Sequence, residues 1–103
     1  MIDYNVEFTK GVLFVRLSGL LNNDNCNNLQ NELFDVIKEG GIRYLVFNIE
    51  NLDIEDDVPI FSNCEELIRK NDGKMLLCGN EMYINNLNYV DDELTALKRL
   101  QVC

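Results

Sequence analysis

The sequence contains no histidine and no tryptophan, and it has only one proline among 103 residues. Because histidine is the commonest general base in enzymes, its absence removes the Ser-His and Cys-His arrangements of nucleophilic catalysis. A glycine-rich phosphate loop is also missing, since Gly40, Gly41 and Gly73 fall at predicted helix ends and Gly79 follows a predicted strand. We therefore expect a protein that is not an enzyme and that needs no cofactor.

Basic side chains are scarce, with nine Lys and Arg against eighteen Asp and Glu, which gives a net charge of −9. Nucleic acids and anionic membrane surfaces are bound through clustered Lys and Arg, so neither is expected as a ligand. No apolar run approaches the roughly 20 residues of a membrane-spanning helix, and the N-terminal segment does not resemble a signal peptide. These features predict a cytoplasmic protein without direct membrane insertion, whose acidic surface attracts a basic partner.

The four cysteines, Cys26, Cys64, Cys78 and Cys103, show no C-x-x-C pairing. Three of them fall at positions that the apolar pattern assigns to the core, and Cys103 lies at the end of the sequence. Since a free cysteine behaves as a small hydrophobic residue, we expect buried reduced thiols and an exposed Cys103. A disulfide or a metal site is the less favoured alternative.

The first 40 residues predict a hairpin followed by a helix. Alternating apolar and polar residues at 3–9 and 12–18 flank Lys10-Gly11, a tight-turn sequence, and one face of this hairpin should be core. Apolar residues then recur at helical spacing from Cys26 to Ile37. Asp24 or Asn22 is expected to cap this helix, and the glycines after it are expected to end it.

The rest of the sequence continues the alternation of strand and helix. The continuous apolar run at 43–49 is typical of a strand buried on both faces, and strand-helix-strand order implies parallel neighbours. In the last helix Asp91 should be the cap, with Leu94, Leu97 and Leu100 facing the sheet. The further predicted elements are a helix at 58–70, a strand at 74–79, a short strand at 88–90 and a helix from 91 or 92 to 100.

Five acidic residues lie within eight positions where the central strand leads into the second helix. One or two carboxylates would suffice to cap a helix, whereas five repel one another, so we consider a recognition surface beside the capping explanation. A site for Mg²⁺ or Ca²⁺ is a third alternative, although the glycine and bidentate Glu of a calcium loop are absent. The proposed partner-binding residues are Asp53, Glu55, Asp56, Asp57, Val58, Pro59, Phe61 and Ser62.

Three segments resemble the STAS domain, a family named for sulphate transporters and anti-sigma factor antagonists. They are GVLFVRLSGLL at 11–21, IRYLVFNIENLD at 42–53 and GKMLLCG at 73–79. The resemblance covers nearly the whole chain and implies one α/β domain at residues 1–103. Its expected architecture is a mixed sheet of four or five strands with three or four helices mainly on one face.

In bacterial anti-sigma factor antagonists of this family, Asp-Ser-Ser/Thr-Gly follows the central strand, and a kinase-like anti-sigma factor phosphorylates one hydroxyl. The matching positions here place Asp56 on the Asp, Asp57 and Val58 on the two hydroxyl positions, and Pro59 near the Gly. The phosphoacceptor is therefore missing, and Asp57 is only a partial, permanent imitation of a phosphoserine. Using Ser62 instead would shift the apolar stripe of the second helix out of step with the family.

The resemblance implies a non-catalytic protein–protein interaction domain of bacterial transcription regulation, which has lost its phosphorylatable serine. The implied partner is a protein, with a kinase-like anti-sigma factor as the first candidate. An accessory subunit of a membrane transport complex is the alternative, because STAS domains also occur there. A metal-dependent enzyme using Asp53, Glu55 and Asp57 is a third hypothesis.

Overall fold

Five strands and three helices form the part of the chain that the computed structural model describes, residues 2–55, 59–79 and 89–100. All predicted elements are present, which confirms the α/β fold class. In chain order they are β1 (Ile2–Thr9), β2 (Val12–Leu21), α1 (Cys26–Gly40), β3 (Tyr44–Ile54), α2 (Ile60–Lys70), β4 (Lys74–Cys78), β5 (Tyr89–Val90) and α3 (Glu93–Leu100).

The strands form one sheet in the order β1-β2-β3-β4-β5. β1 is antiparallel to β2, and the remaining neighbours are parallel, as the strand-helix-strand order predicts. Lys10 and Gly11 both have positive φ, 52° and 81°, which is the conformation that a two-residue hairpin turn requires. The sheet is therefore mixed, with its single antiparallel strand at one edge.

Helices cover both faces of the sheet, but mainly one of them. α1 and α2 pack on one face over a large apolar cluster that includes Leu13, Val15 and Phe47. α3 packs on the other face through Ala96 and Leu100, which are both buried. A second cluster lies beneath α3, and its sheet residues are Val12, Phe14, Val46, Leu76 and Cys78.

The expectation that only one face of the hairpin is core is wrong for β2. Leu13 and Val15 face α1 and α2, while Val12 and Phe14 lie beneath α3 and are 1% and 3% exposed. β2 lies inside the sheet with β1 outside it, so both of its faces can be covered. The hairpin alone does not reveal this, because the covering helix comes about 80 residues later in the chain.

The last helix is capped and oriented differently from the prediction. The backbone N–H of Thr95 donates to Asp92 Oδ1 at 2.8 Å, so Asp92 and not Asp91 is the cap. Ala96 and Leu100, one turn apart, face the sheet, and Leu97 is half-buried. Leu94 is 61% exposed, so the expectation that it faces the sheet is wrong.

The start of α1 also differs in detail, since its N-cap residue is Asn25 and no side chain caps it. Asn22 Oδ1 instead accepts the backbone N–H groups of Asp24 and Asn25, which fixes the loop before the helix. The end of α1 is as predicted, with Gly41 in the left-handed conformation at φ 60°.

Cys26, Cys64 and Cys78 are buried free thiols, as the sequence predicts. Burial raises the pKa of Cys64 to about 12, and burial together with nearby carboxylates raises the pKa of Cys78 to about 12. Cys64 and Cys78 therefore stay protonated and act as small apolar side chains. Cys103 lies outside the described residues, so its exposure stays a prediction.

Candidate functional site: the acidic end of the sheet

The acidic stretch begins inside β3 and not in a loop after it. β3 continues five residues beyond the predicted end at Ile49, because its second half pairs with the end of β2 after a register shift between Arg16 and Ser18. Asp53 lies opposite Leu20, and the backbone N–H of Glu55 donates to Leu21 O at 2.9 Å. Both acidic residues are thus held in place by backbone pairing.

Side-chain alternation along β3 turns the carboxylates outward. Leu52 is buried and Ile54 half-buried, whereas Asp53 and Glu55 are exposed on either side of Ile54. Neither carboxylate forms an ion pair with another residue in the described ranges. Both charges therefore remain available to a partner.

The other predicted contact residues lie at the start of α2. Pro59 is exposed at its N-cap position, and its carbonyl accepts the backbone N–H of Asn63 at 2.9 Å. The Asn63 amide donates to Gln30 Oε1 at 2.8 Å, which ties α2 to α1 at this end of the molecule. Ser62 is half-buried in the first turn of α2. Asp56, Asp57 and Val58 lie outside the described residues, so their role stays a prediction.

Phe61 does not lie on the surface, and its prediction as an apolar docking contact is wrong. It is 0% exposed, and its ring meets that of Phe47 edge-on with centroids 5.0 Å apart. The cause is helical spacing, because Phe61 lies three and seven residues before Cys64 and Ile68, which are both buried against the sheet. Phe61 anchors the start of α2 from beneath.

The basic residues lie at the opposite end of the molecule. Tyr44 is level with both Val12 and Lys74, so β2, β3 and β4 begin at one end of the sheet. Eight of the nine Lys and Arg residues lie in the β1–β2 turn, at the starts of β3 and β4, or in the last turns of the helices. They are Lys10, Lys38, Arg43, Arg69, Lys70, Lys74, Lys98 and Arg99, and we call this the basic end.

Exposed carboxylates occupy the other end, at or beyond the carboxyl ends of the strands. We call this the acidic end, and its described members are Asp24, Glu50, Asp53, Glu55, Asp91 and Asp92. All Lys and Arg residues except Arg16 therefore lie at one end, whereas carboxylates lie at both, since Glu39, Glu66 and Asp72 are exposed at the basic end. This gathering of basic residues was not predicted, although the signal was present: basic residues end each predicted helix, and parallel strands bring those helix ends to one side.

Arg16 is the one basic residue away from the basic end, and a polar cluster neutralises it. Its Nε and Nη2 donate to the two carboxylate oxygens of Glu93, each at 2.8 Å, and its Nη1 donates to Glu7 Oε1 at 3.0 Å. The Asn48 amide also donates to Glu93 at 2.8 Å. The Arg16 guanidinium holds the pKa of Glu93 below its usual range. Partial burial raises this pKa and the hydrogen bond from Asn48 lowers it, both by less than Arg16 does. This cluster fixes the start of α3 on the sheet.

Replacing Glu93 with glutamine should lower the free energy of unfolding by about 1 kcal/mol, because the ion pair is bidentate but partly exposed. The depressed pKa means that the stabilisation is fully present above the ordinary glutamate value of about 4.3 and is lost as pH falls through the lower folded pKa. Denaturant titrations at neutral and acidic pH test this. Wild type and Glu93→Gln should differ at pH 7 and converge in acid, and an equal gap at both would contradict the assignment.

The described residues contain no group of three or more His, Cys, Asp or Glu side chains placed to hold a metal ion. Asp57, one of the three ligands that the metal hypothesis names, lies outside them. Within the same ranges, no helix has both the length and the apolar composition to cross a membrane.

The mixed sheet, with α1 and α2 on one face and α3 on the other, defines a small α/β domain. The STAS domain model matches residues 3–87, well over half of the chain. The chain therefore belongs to the STAS domain family.

Solved structures share this fold at low identity. The anti-sigma factor antagonist SpoIIAA in its unphosphorylated form matches with a TM-score of 0.80 and 17% identity over 98% of this chain and 100% of that one. The phosphorylated form of SpoIIAA, from Bacillus, matches with a TM-score of 0.75 and 17% identity over 96% and 100%. An anti-sigma factor antagonist from Mycobacterium paratuberculosis gives 0.82 and 16% over 99% and 96%. RsbS from Moorella thermoacetica, in a serine-to-glutamate variant, gives 0.78 and 14% over 95% and 94%.

Proposed function

We propose that this protein is a non-catalytic interaction domain in bacterial regulation, which docks through its acidic end onto a basic surface of a protein partner. Membership of the STAS family and the fold shared with anti-sigma factor antagonists support this class of function. A kinase-like anti-sigma factor is the first candidate partner. The observation that carries the proposal is the placement of Asp53 and Glu55, which are exposed, held by backbone pairing and located at the end of the sheet opposite to eight of the nine basic residues.

Docking at this end would work by steering followed by close contact. Unpaired carboxylates on one end of a molecule with net charge −9 attract a basic patch and raise the association rate. Pro59, exposed beside them, offers an apolar contact that costs little conformational entropy. Val58 and the carboxylates of Asp56 and Asp57 would complete the contact surface in this proposal.

The proposed domain does not switch by phosphorylation in this loop. SpoIIAA is known in unphosphorylated and phosphorylated forms. In this proposal Asp57 and Val58 take the two positions at which the family resemblance implies a hydroxyl. An aspartate carries one charge on two oxygens, whereas a phosphoserine carries about −1.5 to −2 on three, so Asp57 offers a fixed and weaker charge. Partner binding would then be set by expression of the two proteins and not by a kinase acting at this loop.

Reversing both exposed β3 carboxylates tests the proposal. The double variant Asp53→Lys/Glu55→Lys should weaken binding to a kinase-like anti-sigma factor of the host by about 10- to 100-fold, or roughly 1–3 kcal/mol. Most of the change should appear in the association rate, because electrostatic attraction acts on the two proteins before they touch. Salt screens this attraction, so the change should shrink as the salt concentration rises. Surface plasmon resonance at two salt concentrations measures the affinity, the rates and their salt dependence.

The matched control is Asp35→Lys/Glu39→Lys, which makes the same change of net charge on exposed positions of α1. It should leave the affinity within about threefold of wild type, a difference of roughly 0.7 kcal/mol. Equal weakening by both double variants would mean that net charge alone matters and would reject the acidic end as the docking site. Capture of a permease or transport ATPase in place of any anti-sigma factor would favour the accessory-subunit alternative.

A further inference from the structure

The outer edge of β1 is an eight-residue strand edge that pairs with nothing in the described part of the chain. Such an edge presents a row of free backbone N–H and C=O groups that can pair with a further strand. Four of the five exposed large apolar side chains of the described residues are gathered on or beside it. They are Tyr4, Val6, Phe8 and Val36, and we call this surface the β1 edge.

Alternation along β1 places the apolar side chains on one face. Tyr4, Val6 and Phe8 lie opposite Leu17, Val15 and Leu13, on the face that α1 and α2 cover further along the sheet. Tyr4 is 39%, Val6 37% and Phe8 60% exposed, so this face of β1 is only partly covered.

The side of α1 borders this exposed strip. The Tyr4 hydroxyl donates to Glu32 Oε2 on α1 at 2.6 Å. Val36, which is 36% exposed, lies one helical turn beyond Glu32 on the same side of α1. The apolar face of β1 and the adjoining side of α1 therefore form one continuous, partly exposed apolar surface.

We propose that the β1 edge is a homodimer interface, in which β1 of two copies pair antiparallel about a two-fold axis at Val6. The second copy would extend the sheet across the dimer and place the two α1 helices on either side of the two-fold axis. A two-fold arrangement needs a self-complementary surface, so the side-chain pairs across the axis decide whether it is feasible.

The register centred on Val6 is self-complementary on both faces. On the apolar face Val6 meets the partner's Val6, and Tyr4 meets the partner's Phe8 as an aromatic pair. On the other face Asn5 meets the partner's Glu7, and Asp3 meets the partner's Thr9, so each carboxylate faces a hydrogen-bond donor. No like charges face each other between residues 2 and 9 in this register.

A register centred on Asn5 would also keep the apolar side chains of both copies on one face, but it is disfavoured by charge. A two-fold axis at Asn5 would place Asp3 opposite the partner's Glu7 twice, and like charges directly opposite each other destabilise a strand pair. A slip of one residue would move the apolar side chains of one copy to the opposite face of the shared sheet. The charge pattern of β1 therefore selects the Val6-centred register.

Backbone geometry agrees with this pairing. Thr9 and Val12 close the two-residue turn, and hydrogen-bonded and non-hydrogen-bonded pairs alternate along an antiparallel ladder from there. Glu7, Asn5 and Asp3 then direct their N–H and C=O groups toward β2. Phe8, Val6 and Tyr4 direct theirs outward, so Val6 can exchange both hydrogen bonds with the partner's Val6.

Net charge makes this dimer respond to salt in the opposite way to the proposed docking at the acidic end. Each copy carries −9, so two copies repel each other and added salt should strengthen their association. Docking onto a basic partner should weaken with salt for the same reason. The two proposals use different surfaces, so one can fail without the other.

Sedimentation equilibrium of the full chain, from low micromolar to several hundred micromolar, tests the dimer. We expect a monomer of 11.9 kDa in equilibrium with a species of twice that mass. The dimer fraction should be larger at an ionic strength of about 0.1 M than at about 0.01 M, where the Debye length is ~30 Å. A monomer at every concentration and at both ionic strengths would overturn the proposal.

Val6→Lys should weaken dimerisation at least tenfold, because it places two ammonium groups opposite each other at the axis. Leu94→Lys is the matched control, since it makes the same change on an exposed apolar residue of α3 and should leave the dimer unchanged. Should Val6→Lys lose its fold by circular dichroism, Phe8→Ala, at a 60% exposed position, should weaken the dimer by removing the two aromatic pairs with the partner's Tyr4. A folded variant that dimerises like wild type overturns the interface.

Thr9 tests the register, because it faces the partner's Asp3 only when the axis is at Val6. Thr9→Lys should tighten the dimer several-fold through two new ion pairs, and Thr9→Glu should weaken it by a similar factor. Equal dimer affinity in the two variants would overturn the Val6-centred pairing.

Discussion

Replacing Phe61 with alanine should lower the free energy of unfolding by about 3–5 kcal/mol, the usual loss for a fully buried phenylalanine. The ring is 0% exposed and packs edge-on against Phe47, so its removal leaves a cavity beneath the start of α2. Against a typical domain stability of about 5–15 kcal/mol, this is a large fraction. Guanidinium denaturation monitored by circular dichroism measures it.

Leu94→Ala is the control for this experiment, because Leu94 is 61% exposed on α3. It should change the stability by no more than about 0.5 kcal/mol. The comparison also decides between two roles for Phe61. If Phe61→Ala were as stable as Leu94→Ala yet weakened partner binding, Phe61 would be a surface contact, as the sequence alone suggested, and the buried placement would be wrong.

Gly73→Ala should destabilise the protein by about 3 kcal/mol or more, as a severe case of overpacking. A Cβ added at Gly73 would lie 1.7 Å from the carbonyl oxygen of Arg43. That oxygen accepts the backbone N–H of Lys74 at 2.9 Å, so the chain cannot move away without breaking the pairing where β3 and β4 begin. Thermal unfolding should show a melting temperature many degrees below that of wild type.

Gly40→Ala provides the control, since Gly40 is the last residue of α1 and a Cβ there meets only the flexible side chain of Ile42 at 3.2 Å. It should be neutral or stabilising by up to about 1 kcal/mol, because alanine has the higher helix propensity. Equal melting temperatures for the two alanine variants would show that the backbone contact at Gly73 is not rigid.

Local patterns were sufficient to predict the elements of the fold. The two-residue turn at Lys10 and Gly11, the helical stripe from Cys26 to Ile37 and the apolar run of β3 are each visible in a short window of sequence. Their order fixed the parallel pairing through the handedness of crossovers. The second core cluster was not predicted, because Val12 and Ala96 belong to elements that meet only in the folded chain.

The same distinction applies to the candidate site. The cluster of carboxylates is a local feature of the sequence and was noted there, but Asp53 was expected after the central strand and lies within it, because the second half of β3 pairs with the end of β2. The Arg16–Glu93 ion pair joins residues 77 positions apart and has no local signal. Phe61 was misplaced because the apolar stripe of α2 is wide enough to include both Ile60 and Phe61, and only the packed helix shows that both are buried.

Docking through the acidic end is the central claim, and hydrogen–deuterium exchange of the protein with and without its bound partner tests it most directly. The amides of peptides covering residues 50–63 should exchange more slowly in the complex, while those at the start of β4 and the end of α3 should not change. Slowed exchange at the basic end, around Lys74 and Arg99, with no effect at residues 50–63 would contradict the claim.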